Sequence, residues 1–270
     1  MNLTLRFRTM RSLALAGALF AAGCAGAGET GSINESTYDG LSGVNGLSGV
    51  NGLSGVNGLS GVNGLSGVNG LSGFNGLSGV NGATSSTTSP GLMTTASGRS
   101  TVAYLVKCAL PVGRSITRKD QNGVSYTFPG QFGFAPEYET SACGTKCQEN
   151  VSACIMAHVN TAGIHIPIWL DAAAPTVGWG RSSTYTHQEG SFFGNIFVSP
   201  PKAYYCNGKD FAASVVPGRL GATQVGAPYA NPFPGNGYCA DSCVPLASPS
   251  TGDGYKSCAG YTNVVTVWRQ

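Results

Sequence analysis

The sequence predicts an α+β fold class: a small, disulfide-stapled, loop-rich domain behind an export signal and a low-complexity Gly-x-x spacer. Three observations predict it. The first 23 residues have the layout of an export signal. A hexad, LSGVNG, then recurs seven times from Leu41 to Gly82. From about Ser100, aromatics, cysteines and both helical and alternating apolar patterns replace the repeat. The expected boundaries are 1–23 for the signal, 24–99 for the mature N-terminus and spacer, and 100–270 for the domain.

In the signal, Arg6, Arg8 and Arg11 form a positive n-region, Leu13 to Phe20 the apolar core, and AAGC the cleavage site. That core is too short to cross a bilayer as a stable helix. Small residues directly before Cys24 resemble the lipobox of bacterial lipoproteins, although Ala21 stands where that motif usually has leucine. The resemblance implies lipidation at Cys24, with palmitate among the acyl chains, and a membrane partner reached through that lipid. Several chains hold firmly where one holds marginally. Ala25 takes the place of the aspartate that marks inner-membrane retention, which implies the outer membrane, on either face. The rival reading is an ordinary secretory signal.

Once Arg6, Arg8 and Arg11 are removed, 12 basic residues face 12 acidic ones. A chain without net charge has no electrostatic argument for nucleic acid or an anionic surface as a partner. Beyond Cys24, eight cysteines remain: Cys108, Cys143, Cys147, Cys154, Cys206, Cys239, Cys243 and Cys258. An even set in an exported chain reads as up to four disulfides, whose pairing the sequence leaves open. The CxxxC spacings of Cys143/Cys147 and Cys239/Cys243 also raise a metal reading. Structural zinc knuckles more often have two intervening residues, so no metal and no cofactor are expected.

The hexads carry glycine at every third position, as collagen does, but contain no proline to pre-set the polyproline geometry. A stable triple helix is therefore not expected. Seven hexads also make too few coils for a capped β-helix. Repeated Asn-Gly pairs favour turns, and the glycines raise the entropy cost of ordering. The expectation is a disordered spacer, on the order of 50 Å in root-mean-square span from Ala25 to Arg99 as a coil.

In the domain, TVAYLVKCALP reads as a short helix between a Ser100 cap and a Pro111 stop. SITRKDQNGVSYTF reads as a hairpin about Asn122-Gly123. TKCQENVSACIMAH is the clearest helix, with a capping box from Thr145 to Gln148 and Cys147, Val151, Cys154, Ile155 and His158 on one face. IHIPIWL alternates as a strand, with Pro167 implying an edge or bulge, and VVTVWR is a closing strand. Long loops rich in Gly, Pro, Tyr and Asn are expected between them.

The string CQENVSACIMAHVN, with YLVKCALP before it and SFFGNIFVSPPKAYYC after it, resembles a family of exported cysteine-rich proteins from myxobacteria. The likeness covers most of the segment from Val102 to Arg269. It implies a domain type and an exported location, and it supplies no activity and no catalytic residues.

The chemistry-bearing residues are few. His158 reads as a satisfied histidine of the helix face and His165 as a surface residue. His187 and Glu189, in a loop beside Phe192 and Phe193, are the candidates for a general base near an apolar cleft. Glu137 and Glu139, with Asp171 or Glu189, are the candidates for the carboxylate pair of a glycosidase. The nucleophile elbow, zinc-helix and phosphate-loop signatures are absent. Aromatics are plentiful in the loops and at strand ends, among them Tyr204, Tyr229, Tyr261, Trp169 and Trp179, and with Asn and Gly they suit recognition of carbohydrate or protein. The expectation is a surface-presented recognition domain for a polysaccharide or protein, leaning away from an enzyme. The alternatives are an exported cell-wall or glycan hydrolase, and a structural envelope protein that assembles through the repeat.

Overall fold

The computed structural model describes residues 35–36, 41–42, 92–94, 96–160, 166–172, 183–198, 201–211, 232–233, 237–246 and 254–270. The chain separates into Met1–Gly31 and Ser32–Gln270, and every described residue belongs to the second unit. The export signal, Cys24, the hexads beyond Leu41–Ser42, His165, Trp179 and Tyr229 lie outside the described residues.

In chain order the elements are β1 (Glu35–Ser36), β2 (Leu41–Ser42), α1 (Ala96–Ala109), β3 (Ser115–Lys119), β4 (Ser125–Pro129), α2 (Thr145–Ala157), β5 (Val159–Asn160), β6 (Ile168–Ala172), β7 (His187–Asn195), β8 (Lys202–Asn207), β9 (Cys243–Pro245), β10 (Tyr255–Cys258) and β11 (Val265–Arg269). They build a small sheet-rich domain with two helices and four disulfides.

Helix α1 starts four residues ahead of the expected Ser100 cap, and Ser100 is an exposed interior residue of the helix. The extension is held by packing. Leu92 and Met93 are buried against the helix, and Arg99 Nη1 donates to Met93 O at 3.0 Å. The helix ends at Ala109, two residues before Pro111, which cannot donate a helical hydrogen bond. In α2 the expected capping box does not form. Thr145 is already helical and Gly144 occupies the cap position. Gln148 instead donates from Nε2 to Cys143 O and accepts at Oε1 from Asn195 Nδ2. The predicted face of Cys147, Val151, Cys154, Ile155 and His158 is buried throughout.

The hairpin of β3 and β4 forms as read. Asp120 Oδ1 accepts from the Asn122 and Val124 amides, and Gly123 takes the left-handed conformation (φ 79°) that closes the turn. The main sheet has the order β1-β6-β11-β7-β8 and is antiparallel throughout. The closing strand of the sequence is its centre: β11 pairs with β6 on one side and β7 on the other. Strand β6 begins just after Pro167, so the proline precedes the ladder and does not interrupt it. Register puts Leu170, Ala172, Phe192, Tyr205, Val265 and Val267 on the face shared with the helices, in one apolar core. The opposite face carries Asp171, Thr266 and Ser191, all buried, with Ser191 Oγ and Thr266 Oγ1 hydrogen-bonded at 2.9 Å.

The pairing that the sequence left open is Cys108–Cys154, Cys143–Cys147, Cys206–Cys239 and Cys243–Cys258. The first ties α1 to α2, and the second lies at the start of α2. The last two sit together with Phe193, Tyr255 and Val264 in a second small core.

Candidate functional site

A groove of about 470 Å³ runs along the N-terminal half of α2. Lys146, Asn150 and Ala153 line it because spacings of four and three residues place them on one helix face. Two loops form its walls, and a side-chain amide pins each of them. Asn150 Nδ2 donates to Phe134 O at 3.1 Å, which holds the loop of Phe134, Pro136 and Glu137. Asn263 Nδ2 donates to Glu149 Oε2 at 2.8 Å, which holds the Thr262–Asn263 approach to β11. The floor is apolar: Phe134, Ala153, Ala172, Val264 and Val265 are all buried. Glu137, Lys146 and Thr262 are exposed at the rim. An apolar floor with a few placed polar groups is the usual composition of a small-ligand or chain-binding site.

Beside the groove stands an aromatic cluster. Tyr261, which directly precedes Thr262, has ring centroids 5.8 Å from Tyr204 and 6.0 Å from Phe193, and Phe233 lies 6.0 Å from Phe193. Tyr204 and Tyr261 are half-buried. Partial burial raises the Tyr261 phenol above its ordinary range, and Tyr204 and the Glu149 carboxylate add to the effect. Glu149 thus holds Asn263 and also contributes, after burial and Tyr204, to the upward shift of the Tyr261 phenol.

The structure places the other candidates elsewhere. His187 and Glu189 belong to strand β7, not to the loop expected around them, and Phe192 and Phe193 are core residues of the same strand. Gly190 pairs with Val267 and Gln188 with Trp268, which leaves Glu189 at a bulge. Its side chain is buried, with Oε2 3.7 Å from the equally buried Arg269 Nε. Burial and a cationic partner make Glu189 a structural carboxylate. Glu139 pairs with Arg114, whereas Glu137 lines the groove. Asp171 is fully buried on the sheet face opposite to Ala172, and so opposite to the groove. The expected carboxylate combinations are therefore not brought together in the groove, whose lining has Glu137 as its carboxylate. His158 is buried, and its Nδ1–H donates to Cys154 O at 2.8 Å, as a satisfied core histidine does. The sulfurs of Cys206, Cys239 and Cys243 lie within 4.8 Å of one another, as do the ligand atoms of Cys108, Cys154 and His158. All five cysteines are in disulfides, which have no thiolate to offer a metal.

Sequence reasoning missed Lys146, Asn150, Thr262 and Asn263. The i, i+4 spacing of Lys146 and Asn150 on a polar helix face was a readable signal. The approach of Thr262 and Asn263 to α2, more than a hundred residues away along the chain, was not.

Compared with known proteins, residues 21–93 match the collagen triple helix repeat family (20 copies). The match rests on the Gly-x-x period, and the hexads within it contain no proline. No curated protein and no solved structure matches the chain. The chain therefore joins a Gly-x-x repeat region to a disulfide-stapled, sheet-rich domain.

Proposed function

We propose that this protein is an exported, lipid-anchored recognition protein of the bacterial outer membrane. Cys24 carries the lipid, and the Gly-x-x repeat spaces the domain away from it. The groove along α2 binds a surface polysaccharide or an extended protein segment. The single observation that carries this reading is the groove itself: an apolar floor, rim groups of both charges, walls pinned by side-chain amides, and tyrosines alongside. Such a surface offers hydrogen bonds and stacking without a large net charge, which suits a neutral glycan best. The family resemblance of the domain segment and its disulfides support export.

The test incubates the oxidised mature chain with purified cell walls and a panel of surface polysaccharides. Bound protein and released sugar ends are recorded in the same tubes. Binding that drops at least tenfold in Lys146→Glu/Thr262→Trp, without release, is the expected result. Release that disappears in His187→Ala would replace this reading with a hydrolase. Equal binding by the groove variant would place recognition elsewhere on the domain.

A further inference from the structure

The stretch that leads into the repeat is paired with the domain. Strand β1 lies antiparallel to β6, with Glu35 opposite Trp169 and Ser36 opposite Ile168. Strand β2 lies parallel to β5, with Leu41 opposite Val159 and Ser42 opposite Asn160. Leu41 and Ser42 open the first hexad. Backbone pairing reads N–H and C=O groups, so it is nearly indifferent to which copy of a repeat supplies the strand. The same Leu-Ser dipeptide, with glycine on both sides, recurs at residues 47, 53, 59, 65, 71 and 77. In sequence these copies carry the same groups that the first one offers β5.

The Val159–Asn160 segment is also held next to α2 by contacts that do not involve a hexad. It follows α2 with only His158 between, and the His158 amide donates to Ile155 O at 3.0 Å. The ring of the same residue is bonded to Cys154 O, and Cys154 is cross-linked to Cys108 of α1. Val159 is 1 % exposed. Docking on such an edge costs the ordering of the incoming hexad alone, which favours a short and otherwise weak pairing.

We propose that β5 is a docking edge for the LSGVNG hexads of its own chain, and that any one of them can occupy it. Within one chain, β1 tethers the first hexad close to the edge and so favours it. The edge follows the C-terminal end of α2, about 16 Å of helix beyond Lys146 at the groove rim.

The test compares the full mature chain, the same chain lacking residues 41–82, and full chain carrying Leu41→Pro. Amide hydrogen exchange at Val159 and Asn160 is the readout, with a synthetic (LSGVNG)₃ peptide as the probe. The shortened chain is expected to lose protection at the one of these two amides that faces the hexad, while the other serves as the internal reference, and to regain it with the peptide. It is also expected to bind the peptide about tenfold more tightly than the full chain, whose tethered hexads compete at roughly millimolar effective concentration. Leu41→Pro should keep protection, because the next hexad takes over. A peptide N-methylated at its Leu and Ser nitrogens should not bind. Loss of protection in Leu41→Pro would overturn interchangeability. Failure of the peptide to bind the shortened chain, with disulfides and near-UV dichroism intact, would overturn the docking edge, as would equal binding of the N-methylated peptide.

Discussion

Tyr138 places a phenol in the apolar core with no exposure, and its hydroxyl finds no partner among the described residues. Burial raises its pKa well above the usual tyrosine value of 10.0. The neutral form is therefore the folded form. Above about pH 10 the unfolded chain releases a proton that the folded chain keeps, so stability falls as pH rises past that value. Tyr138→Phe should stabilise the domain by about 1 kcal/mol and flatten this alkaline limb, as read by urea denaturation from pH 8 to 11. A second residue-scale prediction concerns Glu189. Replacing it by alanine strips buried Arg269 of a carboxylate and should cost about 3 kcal/mol, whereas His187→Ala should cost less than about 1 kcal/mol. Thermal melts of the two variants check this, and equal losses would contradict the structural role assigned to Glu189.

Among the elements, the four disulfides do unequal work. Chain-entropy arguments scale with the loop that each one closes. Cys108–Cys154 spans 46 residues and joins the two helices, so replacing both cysteines by alanine should cost about 4 kcal/mol. Cys143–Cys147 spans four and should cost about 2 kcal/mol, because it constrains little more than one helical turn. Denaturant midpoints of the paired variants should follow that order, and a larger loss at Cys143–Cys147 would show that it holds the groove wall instead. The helices, the hairpin and the closing strand were legible because each rests on local periodicity or turn chemistry. Strand β7 was not. HQEGSFFGN mixes polar residues and two glycines, and its strand state comes from neighbours on both sides. Gly190 is required there because a β-carbon would collide with the Tyr205 ring, whose hydroxyl donates to Glu189 O at 3.0 Å.

For the molecule as a whole, the repeat and the domain have separable duties in the proposed function. Removing residues 47–82 keeps Leu41–Ser42 and the entire domain core. The melting temperature of the domain should then stay within about 2 °C, since no described core residue is lost. On cells, the shortened chain should become less accessible to an antibody against the domain, whereas Cys24→Ala should release the protein from the membrane fraction. Unchanged accessibility would refute the spacer role, and retention of Cys24→Ala would refute the lipid anchor.

By itself, the sequence determined the order of segments, the glycine period, the two helix-bearing stretches, the Asn122-Gly123 hairpin and the even set of cysteines that await partners. Each of these depends on residues within a few positions of one another. Only the tertiary structure decided which cysteines pair, that β11 is the centre of the sheet, that Glu189 belongs to Arg269, and that Asn263 reaches Glu149 to wall the groove. These depend on residues that are distant along the chain and meet only when the apolar faces of α1, α2 and the sheet are buried together. The entropy of closing those long loops is offset by a core that no single segment can form alone.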